Sequence, residues 1–89
     1  MAKKRRKLNK DFEKKIYSSK KNVELVLAKI YDINDEDIQK EYMSAFNRVV
    51  YLYDELKDDY EKQGFSDNSE ELLTDYKNAF NLFESEFEI

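Results

Sequence analysis

An all-α fold, an up-down-up bundle of three helices, is predicted by three observations. One Gly and no Pro in 89 residues leave almost no punctuation of the kind that β-rich domains need at their turns. Apolar residues recur at alternating steps of three and four along three separate stretches, the period of a helix with one buried side. Seven Tyr and six Phe mark a chain that folds even though 40% of its residues are charged, because disordered chains are poor in aromatics.

The first helix is expected over about 9–32. Phe12, Ile16, Ser19, Val23, Val26, Ile30 and Ile33 form its stripe, Asn9 is the candidate N-cap, and Asp11 and Glu13 fall in the first turn, where negative charge suits the macrodipole. The second is expected over about 35–63, after Asn34, Asp35, Glu36 and Asp37, a strong N-terminal signal. Its stripe is Ile38, Tyr42, Ala45, Val49, Leu52 and Leu56, widened by Phe46, Tyr53 and Tyr60. Gly64, the sole glycine, should end it in a left-handed conformation, and the obvious loop is 64–69. The third helix is expected over about 69–88, opened by a capping-box spacing of Asn68 and Glu71, with Leu73, Tyr76, Phe80, Phe83 and Phe87 as its stripe and Leu72 and Ala79 beside it.

Short links between long helices make neighbours antiparallel. One end of the bundle should then gather Phe12, Ile16, Leu56, Tyr60, Leu72 and Leu73, and the other Ile30, Ile33, Ile38, Tyr42, Phe83 and Phe87. The alternative is an elongated helical hairpin or a coiled-coil dimer, against which stands the bulk of so many Tyr and Phe at seam positions. A chain of this length has room for one domain, read as residues 9–89, preceded by a basic arm over 1–8.

Charge is segregated along the chain. Residues 1–21 hold ten Lys or Arg against Asp11 and Glu13, a balance of +8, whereas residues 22–89 carry −12. Such asymmetry points to an interaction role. Lys3, Lys4, Arg5, Arg6 and Lys7 precede a helix N-terminus, where positive charge opposes the dipole, so they are not there to stabilise that helix. With Lys10 and Lys14 they are the candidates for contacting nucleic-acid phosphates, which requires clustered cations and no sequence readout. Two other roles compete: a nuclear import signal, and a tail that neutralises the acids of the body, to which the bundle path would return it. No aromatic is interleaved in the arm, so base stacking should not begin there.

Candidates for protein contact come from two places. Asp35, Glu36 and Asp37 should share one tip with Glu84, Glu86 and Glu88, a cluster that a phosphate-binding groove would attract; helix capping and solubility account for the same acids without a partner. Tyr17, Leu25 and Tyr51 lie off the apolar stripes at ~100° per residue and should face outward, as should Leu82. Tyr51, set among polar residues, has the composition of an interface hot spot.

Enzymatic chemistry is excluded on inventory. The chain has no His and no Cys, so imidazole or thiol catalysis, zinc sites and redox motifs lose their side chains. No Gly-rich loop cradles phosphates, and the acidic runs lack EF-hand spacing. No catalytic residue, cofactor or metal is expected, nor a membrane span, and the absence of Cys fits a reducing, cytoplasmic setting. In composition alone, being short, helical, charge-segregated, rich in Lys, Asn, Asp, Phe and Tyr and poor in Ala, Gly and Pro, the chain resembles the small accessory proteins of bacteriophages and mobile elements. That resemblance implies a bacterial host cell and a stoichiometric inhibitor of a nucleic-acid-handling protein or ribonucleoprotein, of the anti-CRISPR or anti-restriction type. It transfers no site. The alternatives are an assembly protein that self-associates through helix faces, as in a homodimer, and a nucleic-acid-binding accessory protein.

Overall fold

Each helix begins where a small polar side chain takes over a backbone donor that the helix cannot satisfy. In the computed structural model, which describes residues 7–88, α1 spans Lys10–Tyr31, α2 spans Glu36–Gln63 and α3 spans Asp67–Glu86. Asn9 caps α1, its Oδ1 accepting from the Phe12 N–H at 2.9 Å. At α2 the cap is Asp35 rather than Asn34, with Oδ1 accepting from the N–H groups of Asp37 (2.9 Å) and Ile38 (3.1 Å). A carboxylate does this better than an amide, because its charge also faces the positive end of the dipole.

Gly64 closes α2 with φ 77°, its N–H donating to the Tyr60 carbonyl at 2.9 Å. Only glycine takes that conformation without a side-chain clash. The third helix starts two residues earlier than the sequence spacing suggests. Its N-cap is Ser66, not Asn68, because Ser69 reaches back: Ser69 Oγ accepts from the Ser66 N–H (3.0 Å) and donates to the Gly64 carbonyl (3.2 Å), fully buried. Asn68 instead donates to Asp59 Oδ1 at 3.2 Å, tethering the first turn of α3 to α2.

The three helices run up, down and up, and α2 is the middle element on which both others pack. Folding α3 back along α2 rules out the single elongated hairpin, and the apolar seam is shared by three helices of one chain. Phe46, Ile30, Leu56 and Val49 are the largest fully buried apolar side chains. Around them Phe46 meets Phe83 (centroids 4.8 Å) and Phe80 (6.1 Å), and Tyr42 meets Phe87 (4.8 Å) and Phe83 (6.4 Å) edge-on. At the other end Phe12 packs on Tyr60 (5.6 Å) and Phe65 (5.1 Å). Both ends thus assemble largely as the helix faces demand. Ile38 is the exception at 44% exposed: the buried stripe of α2 runs through Phe46, Val49, Tyr53, Leu56 and Tyr60, and the line back to Ile38 diverges from it.

The α2 and α3 faces interlock through rings along their length, whereas α1 buries its larger side chains, Phe12 and Ile30, toward its ends and offers Ser19, Val23 and Val26, short side chains, between them. Consequently α1 and α3 both lie against α2 yet approach each other less closely. Between them the Tyr76 hydroxyl donates to the Ser19 carbonyl at 3.2 Å. Burial, with smaller contributions from Tyr53 and Glu84, pushes the Tyr76 phenol up to about 12 from its ordinary 10.0. Burial pushes Tyr53 up as well, helped by Asp54, Glu24 and Glu61. A folded-state value above the unfolded one makes the Tyr76 contribution fully present below pH 10 and lost as pH rises toward 12. Tyr76→Phe should therefore cost about 1 kcal/mol near neutrality, the net worth of one hydrogen bond, and flatten the alkaline limb of stability. Urea unfolding between pH 7 and 11 checks both.

Candidate functional site

The candidates for nucleic-acid contact divide at the arm. Lys3, Lys4, Arg5 and Arg6 lie outside the described residues. Lys7 is exposed but anchored: its carbonyl accepts from the Phe65 N–H at 2.6 Å in an isolated bridge with the Gly64 turn, and its ammonium sits 6.0 Å from the Phe65 ring. Two residues on, the Asn9 N–H donates to the Tyr60 hydroxyl (3.0 Å), which itself donates to the Glu13 carboxylate. The basic arm expected over 1–8 is thus joined to the body from residue 7 onward, because the α2–α3 turn leaves a backbone donor that Lys7 satisfies. Removing residues 1–9 should cost about 2 kcal/mol more than removing 1–6, through the lost cap and lost turn contact; urea midpoints of the two truncations measure the difference. Lys10 and Lys14 are exposed on α1.

The outward apolar residues are exposed as their helix positions require: Tyr17 and Leu25 at 57%, Leu82 at 59% and Tyr51 at 62%. They do not make one patch. Tyr17 stands in the groove between α1 and α2 beside Lys20, Tyr53 and Lys57, with the Lys21 ammonium 5.3 Å from its ring. Leu82 flanks the seam of α2 and α3. Tyr51 occupies the outer face of α2 in a shallow hollow of about 330 Å³ with Asp54, Glu55, Asp58 and Glu61 around it and Lys57 at the edge. Its hydroxyl donates to Glu55 Oε1 at 3.1 Å, and that hydrogen bond and the Glu55 charge together raise its pKa.

Acidic residues gather at the tip in part. Asp35 caps α2, Glu36 and Asp37 occupy its first turn, and the Glu88 carbonyl accepts from the Tyr42 hydroxyl at 3.2 Å, which brings the chain end to the start of α2. Glu84 stands in the last turn of α3, at the same end of the bundle. It lies on the flank of α3 that faces α1 and lines a cleft of about 550 Å³ between those two helices. Leu25 and Lys14 line it too, so three candidates expected on separate surfaces share one.

Val26, Tyr76 and Phe80 form the apolar floor of this cleft, Ser18, Asn22 and Asn81 its polar walls, and Lys14, Lys15, Lys29 and Lys77 its rim, with Glu84 the one acid. Half of it was legible: Lys14, Ser18, Leu25 and Lys29 follow helical spacing along one flank of α1. Lys77 and Asn81 carried no such signal, because only the parallel juxtaposition of α1 and α3 sets them opposite. Among the described residues no group of three or more acids, His or Cys is placed to hold a metal ion. Among them also, no helix is long and apolar enough to cross a membrane. Compared with protein-family models, with curated proteins and with solved structures, the chain finds no match.

Proposed function

We infer that the chain is a non-enzymatic binding protein that engages a nucleic-acid-handling protein or ribonucleoprotein stoichiometrically and inhibits it, in the manner of the phage-encoded accessory proteins it resembles in composition. The observation that supports this is the acid-rich hollow on α2, where a solvent-facing Tyr51 stands at one end of a row of Asp54, Glu55, Asp58 and Glu61, with Lys57 beside them and Lys62 paired to Asp58 at 3.1 Å. Carboxylates on successive turns repeat every ~6 Å along a helix. A groove lined with cations to receive a nucleic-acid strand accepts such a row in place of phosphates, and a tyrosine held by Glu55 adds apolar area at little entropic cost.

Capture from a bacterial lysate, with and without nuclease, tests this reading. The expected result is a protein retained at one-to-one stoichiometry after nuclease treatment and released by raised salt. Loss of the catch on nuclease treatment would overturn it in favour of direct nucleic-acid binding through Lys7, Lys10, Lys14 and the arm. A chain that captures nothing and sediments as a homodimer would favour self-assembly.

A further inference from the structure

We propose that the cleft between α1 and α3 is a docking site for a single acidic amphipathic helix of a protein partner, which seats as the fourth helix of a bundle. The site is distinct from the Tyr51 hollow, shares no residue with it, and does not depend on it.

Geometry selects a helix. The two walls are parallel helices whose backbone donors and acceptors are used internally, so an extended peptide finds no edge to pair with. From Lys15 to Lys29 the cleft runs ~21 Å at 1.5 Å per residue, about four helical turns. Phe80 remains half-buried and Leu25 is 57% exposed, so a residue row at i, i+3, i+4 and i+7 of an incoming helix finds apolar surface not yet removed from water. An occupant antiparallel to both walls also opposes their aligned dipoles, which α2 alone opposes in the free chain.

Charge selects an acidic one. Lys14 and Lys15 stand at one end of the rim, Lys77 along the α3 side and Lys29 toward the other end, against the single carboxylate of Glu84. None of these four lysines has a carboxylate of the described residues within 4.0 Å. Acidic side chains flanking the apolar row of the occupant reach these ammonium groups, while Asn22 and Asn81 provide polar contacts between them.

A nucleic-acid strand would meet the same cations but not the same floor. Among the described residues, the ring systems lining the cleft are Tyr76, 3% exposed with its hydroxyl committed to Ser19, and Phe80, partly covered, so they offer no open aromatic face for stacking bases.

The full chain, isotopically labelled for NMR, is titrated with three probes: a 16-residue helical peptide with a Leu row at i, i+3, i+4 and i+7 and Glu on its flanks, the same peptide with Lys for Glu, and a 12-nucleotide single-stranded RNA. The expected result is saturable binding of the acidic peptide with shifts at Asn22, Leu25 and Asn81, and at least tenfold weaker binding of the Lys peptide and the RNA. Leu25→Asp and Lys77→Glu, both at exposed positions and each checked by thermal melting to leave the fold intact, should each weaken the acidic peptide at least tenfold, whereas Tyr51→Ala should not. Equal binding of both peptides, shifts elsewhere than the cleft, no binding of the acidic peptide, or tighter binding of the RNA there would overturn the assignment. Because Tyr51→Ala is silent in this assay and decisive for capture of the inhibited protein, failure of one surface is told apart from failure of the other.

Discussion

Phe46→Ala should cost about 3–5 kcal/mol, the range for deleting a buried ring and leaving a cavity. Phe46 is completely buried near the middle of α2 and packs on two rings of α3, Phe80 and Phe83. Its loss removes one of the ring contacts through which those helices interlock and leaves a cavity in the core. A domain of this size is stable by only about 4–13 kcal/mol. The variant should therefore melt about 12–40 °C lower, at roughly 4–8 °C per kcal/mol, if it folds at all. Thermal and urea unfolding followed by circular dichroism measure the effect; a loss below about 1 kcal/mol would contradict the core described above. Phe80→Ala, expected from periodicity to match it, should cost less, because Phe80 is half-buried at the cleft and already partly in water.

The second large effect concerns binding. Tyr51 is 62% exposed, and its one hydrogen bond, to Glu55, lies on the surface. Tyr51→Ala should leave stability within about 0.5 kcal/mol, as surface substitutions do. If the ring sits at the centre of the proposed interface, its removal should weaken the captured partner at least tenfold, which corresponds to about 1.4 kcal/mol. Tyr51→Phe separates ring from hydroxyl: it keeps the apolar area, releases Glu55 and should retain most of the affinity. Isothermal calorimetry against the purified partner reads both. An affinity unchanged by Tyr51→Ala would move recognition to the acidic tip or the cleft.

Salt dependence distinguishes the two faces of the molecule. Contacts through the α2 carboxylates and through the cleft lysines both weaken as ionic strength rises, since the screening length falls to about 8 Å at physiological salt. The apolar floor under Leu25 and Phe80 is not screened, so the cleft should retain a larger salt-independent component than the Tyr51 hollow, where a single ring stands beside exposed charge.

The three helices, the Asn9 cap, the Gly64 stop and the outward placement of Tyr17, Leu25, Tyr51 and Leu82 were all determined by the sequence itself, because they depend on local chemistry and on a period that any helix must obey. Where two polar residues competed for one role, tertiary contacts chose. Ser66 caps α3 because Ser69 can bury its hydroxyl against Gly64, and Asn68 is drawn to Asp59. Lys7 is held because the backbone donor of Phe65 needs an acceptor that only the chain 58 residues earlier supplies. The cleft was decided by packing alone. Aromatic side chains bring α2 and α3 together, short ones leave α1 and α3 apart, and no single-helix pattern records the difference between two faces that interlock and two that merely neighbour each other.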